Sequence, residues 1–192
     1  METLQWNELL ATGIKEIDVQ HKRIVEIVRQ LREAIERGAF GESEAAEVAL
    51  LQVVDYTVYH FEFEEKLMEK AGYQPLPLHR RVHQLFIRRI AQFQQRYAAG
   101  EDVLRELHNM LARWLVRHIQ HDDRDYAPTV KAYLRREAKR NPSRYRKTEP
   151  LPLHEPPPKP PARGANQASG RRRRTQGNTL WGRLSSFMGG AS

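Results

Sequence analysis

Five histidines and two carboxylates in this 192-residue chain stand at spacings that let them act together. His60 and Glu64 are four residues apart, as are His79 and His83. Residues at i and i+4 of a helix share a face, with Cβ atoms about 5–6 Å apart. His21, His118 and Asp123 complete the set. Imidazole and carboxylate without sulfur fit iron or manganese better than copper(I), and seven donors are too many for one tetrahedral zinc site. They suit two metals that share bridging carboxylates. The chain has no cysteine, which excludes thiolate metal sites, a cysteine nucleophile and a disulfide scaffold.

Helices must position these donors, because the apolar period between residues 19 and 126 is helical, with little period-two alternation. His21 opens a stripe with Ile24, Val28, Leu31 and Ile35, and Arg37-Gly38 reads as its stop. A second helix is expected from Ser43, as N-cap, to Ala71, with Val54, Val58, Phe61, Glu65 and Met68 near one face. A third carries His79, Val82, His83, Phe86, Ile90, Phe93 and Tyr97, with Pro77 at its first position and Gly100 closing it. A fourth starts near Glu101 with Leu104, Leu107, Leu111, Trp114 and His118. Pro128 is expected to interrupt it, with a short helix following over 129–139. Four amphipathic helices with short connections predict an all-α, antiparallel up-down four-helix bundle. In that topology, early positions on one helix and late positions on the next lie at the same end. All four helices therefore send donors to one level of the core, and Asp123 is expected where the fourth helix unwinds. Donors left unpaired there would each cost kilocalories, a conflict that a bound cation removes.

Charge divides the chain. Residues 1–135 hold 19 basic and 21 acidic side chains, a net of −2, whereas residues 136–192 carry +10. The basic excess therefore argues about the tail and not about the folded part, and gives no specific nucleic-acid site. Eight of the eleven prolines fall between Pro142 and Pro161, which no helix or sheet interior tolerates. The expected organisation is a bundle over 1–140, a Pro/Arg-rich disordered linker over 141–179 and a short apolar docking segment over 180–192. In that last segment Leu180, Trp181, Leu184, Phe187 and Met188 share one helical face, shortly after Arg171, Arg172, Arg173 and Arg174. This pairing fits a membrane surface or a protein groove as partner. No apolar run nears the roughly 20 residues of a spanning helix, and the N-terminus lacks a secretory pattern. A monomeric cytoplasmic protein, at most peripheral to a membrane through its tail, is the expectation.

The donors and their neighbours resemble the bacterial hemerythrins over residues 1–130. The matching pieces are Trp6; Gly13-Ile14-Lys15-Glu16-Ile17-Asp18-Val19-Gln20-His21; His60-Phe61 with Glu64-Glu65; His79 with His83; and Trp114-Leu115-Val116-Arg117-His118-Ile119 with Asp123. The resemblance implies that His79, His83 and His118 bind one iron, and that His21 and His60 bind a second with an open position for dioxygen. Glu64, Asp123 and an oxo or hydroxo group would bridge the two. Ile24, Phe61, Trp114 and Leu115 resemble the family's oxygen-pocket positions. Glu65 reads as an ordinary charged helix residue, and His121 and Asp122 as solvent-exposed. The function implied is reversible dioxygen binding for storage, delivery or sensing, without catalysis. The alternatives are a di-iron redox enzyme (peroxidase, oxidase or nitric-oxide scavenger) and an oxygen sensor or adaptor acting through its tail.

Overall fold

A computed structural model describes residues 4–36 and 44–142, and no strand occurs among them. The helices are α1 (Lys15–Glu36), α2 (Glu44–Ala71), α3 (Leu76–Ala98), α4 (Leu104–His118) and α5 (Arg124–Arg140). A π-helical turn, Ile119–Asp123, joins α4 to α5 without a break, so the chain forms four rods. The expected Arg37-Gly38 stop, the Ser43 cap and everything from residue 143 onward lie outside the described residues.

Local chemistry sets the helix ends. The Asp18 carboxylate accepts the Thr12 amide at 2.7 Å and the Gly13 amide at 3.0 Å. This tie starts α1 at Lys15, six residues before His21. Gly13 adopts φ +74°, in the left-handed region that favours glycine. Gly72 (φ +72°) and Gly100 (φ +91°) follow α2 and α3 in the same conformation. Pro75 caps α3, which places Pro77 at the second helical position, not the first.

Pro128 does not interrupt the fourth rod, contrary to the sequence expectation; α5 continues to Arg140. The amide ladder is already re-registered through the π turn just upstream. Buried Tyr126, Ala127 and Val130 flank the proline and tie this stretch to α2. Packing on both sides outweighs one missing amide hydrogen bond.

Two apolar clusters make the core. The larger holds Ile24, Val28, Leu31, Phe61, Phe86, Ile90, Leu107, Leu111, Leu115 and their neighbours. The smaller holds Ile14, Ile17, Met68, Leu76, Tyr126, Ala127 and Val130. Each rod crosses from one cluster to the other at a donor. The pairs are Ile17 and Ile24 around His21, Phe61 and Met68 around Glu64, Leu76 and Phe86 around His79 and His83, and Leu115 and Tyr126 around His118 and Asp123. Donors early in α1 and α3 meet donors late in α2 and α4, as an antiparallel bundle requires.

Candidate metal centre

The structure brings all seven donors together, and all are buried. Two groups form around shared carboxylates. His79, His83 and His118 lie with Glu64 in one, and His21 and His60 lie with Glu64 in the other. Asp123 faces both groups. Its Oδ2 is 3.3 Å from His21 Nε2, and its Oδ1 is 3.1 Å from His118 Nε2 and 3.7 Å from His79 Nε2. Glu64 Oε2 stands 3.4 Å from His60 Nε2 and 3.5 Å from His83 Nε2, while Oε1 is 3.8 Å from His21 Nε2.

Four residues around the donors escaped the sequence reading or were misread. His60 Nδ1 donates to Gln20 Oε1 at 2.9 Å, and His83 Nδ1 donates to Glu65 Oε1 at 2.8 Å. His118 Nδ1 donates to Asp122 Oδ2 at 3.0 Å. Glu65 is therefore no ordinary surface charge; Arg80 Nε in turn holds its other oxygen at 3.2 Å. Asp122 is only partly exposed and grips an imidazole, whereas His121 is exposed as expected. The Tyr126 hydroxyl donates to Glu64 Oε1 at 2.5 Å. The i+4 spacing of Asp122 from His118 was the available signal for one of these. Gln20, beside His21, and Tyr126, three residues beyond Asp123, carried none.

The three acceptors place the proton on Nδ1 and leave Nε2 bare, the form that binds metal. Each nitrogen so bared then faces another imidazole nitrogen. His83 Nε2 and His118 Nε2 are 3.1 Å apart, as are His21 Nε2 and His60 Nε2. Where both nitrogens of such a pair are bare, lone pairs at that distance repel. The spacing nevertheless suits adjacent donors around a single cation at roughly 2.1 Å from each. Five of the seven buried side-chain atoms without a hydrogen-bond partner among the described residues belong here: His21 Nδ1, Glu64 Oε2, His79 Nε2 and both Asp123 oxygens. Burial holds the His21 and His79 imidazoles down at about 3, so both are neutral. Burial and the neighbouring Asp123 charge push Glu64 well up, and burial pushes Asp123 up to about 7. Uncompensated carboxylates and bare imidazoles in one dry layer are what divalent cations resolve. The residues fit two ions.

Aromatic rings fix the donor planes. Phe61 stacks on His83 at 3.7 Å between centroids, and Trp114 stacks on His118 at 4.2 Å. Phe86 stacks on the other side of Trp114 at 3.6 Å. Beside these rings lies a small cavity with room for a molecule of about the size of one water. Ile24, Phe61, Trp114 and Leu115 line it, together with His60, His118, Thr57 and the apolar Val28, Val53, Phe86 and Leu111. Arg171–Arg174, Leu180, Trp181, Leu184, Phe187 and Met188 lie outside the described residues.

Comparison with known proteins agrees with this geometry. The family model of the hemerythrin HHE cation binding domain matches residues 12–130. The chain is 46% identical over 146 residues to the bacteriohemerythrin of Stenotrophomonas maltophilia, covering 74% of this chain and 92% of that protein. It is 47% identical over 132 residues to the bacteriohemerythrin of Pseudomonas aeruginosa, covering 68% and 84%. A solved structure of a hemerythrin point mutant superposes with a TM-score of 0.62 at 29% identity, covering 68% of this chain and 98% of that one. The chain belongs to the bacterial hemerythrin family, whose four-helix bundles bind oxygen at a di-iron centre.

Proposed function

We propose that this protein binds dioxygen reversibly, for storage, delivery or sensing, and does not turn it over. His79, His83 and His118 would hold one iron, and His21 and His60 the other, with Glu64 and Asp123 shared between them. On this assignment one ion would be held by five of the chain's donors and the other, on the two-histidine side, by four, so a ligand such as dioxygen would bind on that side. Two ferrous ions bound there would supply the pair of electrons that reversible dioxygen binding draws on.

The observation that carries the reading is the lining of the cavity beside His60 and His118. It holds no carboxylic acid, lysine or arginine. Its single hydroxyl is that of Thr57, and the Nδ1 protons of both lining histidines are already donated, to Gln20 and Asp122. A redox enzyme needs a group that delivers protons to its product. A dry wall of Ile24, Phe61, Trp114 and Leu115 withholds them and excludes water. Gln20, Glu65 and Asp122 orient the imidazoles, and Tyr126 orients the Glu64 carboxylate, so the donors keep their places whether or not oxygen is present.

Anaerobic reconstitution with ferrous iron, followed by cycles of air and argon, tests this. We expect two irons per chain, and one oxygen taken up and released per pair of irons over repeated cycles. Consumption of oxygen without release, or continuous turnover of peroxide or nitric oxide dependent on His21, would overturn the reading in favour of an enzyme.

A further inference from the structure

The outer face of α3 is built unlike the rest of the bundle. Residues 76–98 contain Arg80, Arg81, Arg88, Arg89 and Arg96 and no acidic residue, within a stretch 1–135 whose net charge is −2. Arg80 is occupied by Glu65 and Glu69, and Arg96 by Glu101 and Glu106. Arg81, Arg88 and Arg89 are exposed, and Arg89 is steadied by Gln92 at 3.1 Å. Between them stand Leu78 and Leu85, 73% and 52% exposed, two of the four large exposed apolar side chains among the described residues. At 3.6 residues per turn, Leu78, Arg81, Leu85, Arg88 and Arg89 fall within an arc of roughly 100°. The donors His79 and His83 lie on the opposite, buried side.

We propose that this face docks on an anionic membrane surface. Two leucines ringed by arginines are the pattern of a helix lying in a lipid interface, where apolar side chains enter the acyl boundary and cations meet headgroup charge. No described helix is long and apolar enough to cross a membrane, so the contact is interfacial. A second copy of the chain is a poor occupant, because a two-fold contact would set the same arginines against one another. The sequence beyond the described residues repeats the pairing, with Arg171–Arg174 followed by Leu180, Trp181, Leu184, Phe187 and Met188. Thirty residues, 141–170, separate that segment from α5, and at about 3.3 Å each they suffice to reach any side of the bundle. A planar lipid surface accepts both elements at once, and two modest anchors together give the stable attachment that one does not.

The test is co-sedimentation of the full-length, iron-loaded chain with vesicles of phosphatidylcholine alone or with one-third phosphatidylglycerol. We expect binding to the anionic vesicles only, weakened by salt. The triple variant Arg81→Gln, Arg88→Gln, Arg89→Gln should lose roughly fivefold in affinity per arginine, and Leu78→Ser with Leu85→Ser should also weaken it. Oxygen uptake and helical circular dichroism of the variants should match the parent. Equal binding to neutral vesicles, or an arginine variant that binds as tightly as the parent, would overturn the proposal. So would absence of vesicle binding alongside arginine-dependent binding of a short RNA duplex, or dimerisation that Leu78→Ser abolishes.

Discussion

Replacing Glu65 by alanine isolates the contribution of a residue that touches no metal. Its Oε1 accepts the His83 Nδ1 proton at 2.8 Å, and its other oxygen is held by Arg80 at 3.2 Å. Without that acceptor the imidazole can take the other tautomer or turn about its own axis, and Nε2 is no longer both bare and aimed. Loss of such a partner lowers metal affinity by roughly 10–100-fold, or about 1.4–2.7 kcal/mol. The right control is three residues away. Glu62 is exposed on the same helix and pairs with Lys66, at 3.5 Å. Iron retention against a graded chelator would be measured for the parent, Glu65→Ala, Glu65→Gln and Glu62→Ala, with metal-free melting temperatures to correct for stability. We expect Glu62→Ala to match the parent, Glu65→Ala to release iron at a tenth or less of the chelator concentration, and Glu65→Gln to fall between, because its amide oxygen still accepts. If Glu65→Ala held iron as tightly as Glu62→Ala, the claim that outer carboxylates fix the donors would be wrong.

Tyr126→Phe leaves Glu64 Oε1 without its buried donor. It should destabilise the metal-free protein by about 1–3 kcal/mol and the iron-loaded protein much less; equal losses in urea titrations of both forms would contradict this. Gly13→Ala forces a Cβ onto a φ of +74°, at a cost of about 1–2 kcal/mol. The nearby Lys131 ammonium end at 2.6 Å can move aside, so the backbone supplies the effect, and an unchanged unfolding midpoint would refute it. Chelator-treated protein should melt at lower temperature as pH falls from 6.5 towards 4. Folded-state values of about 3 for His21 and His79 mean that the stability present above 6.5 is lost on acidification. Asp123, raised to about 7, and Glu64, pushed well up, act in the opposite sense across that window, but His60 and His83 are also held low by burial, so four imidazoles oppose two carboxylates. A melting temperature that rises on acidification would show the carboxylates to dominate.

The four rods were legible because each buries one continuous stripe, and helical period is a property of sequence. The common level of the donors followed from the same periodicity and from the alternation of chain direction. Ile24, Phe61, Trp114 and Leu115 were picked out by adjacency to donors and do line one cavity. Gln20 and Glu65 were not legible in the same way. Each sits next to a donor in sequence yet serves a donor on another helix: Gln20 of α1 holds His60 of α2, and Glu65 of α2 holds His83 of α3. Which neighbour a polar side chain reaches depends on the rotation and offset of two rods, and no single-helix pattern encodes that.

Asp123 shows the same limit in a different form. Five residues past His118, it is about 140° off that face in an α-helix, which is why an unwinding end was expected there. The chain instead keeps its hydrogen bonds and shifts their register, through the π turn Ile119–Asp123. Bonding from i to i+5 adds one residue to the turn, which carries i+5 back over i. The consequence is specific to His118. Asp122 takes its Nδ1 proton at 3.0 Å, while Asp123 lies 3.1 Å from its Nε2, so two consecutive carboxylates address the two edges of one ring. A regular α-helix would offer the i+4 contact and turn the other away, and a frayed end would order neither. The π turn also keeps the rod continuous into α5, which brings Tyr126 beneath Glu64 and packs Val130 into the smaller cluster. One extra residue in one turn therefore supplies a carboxylate that faces both groups of histidines, the orientation of His118 and the apolar floor of the site.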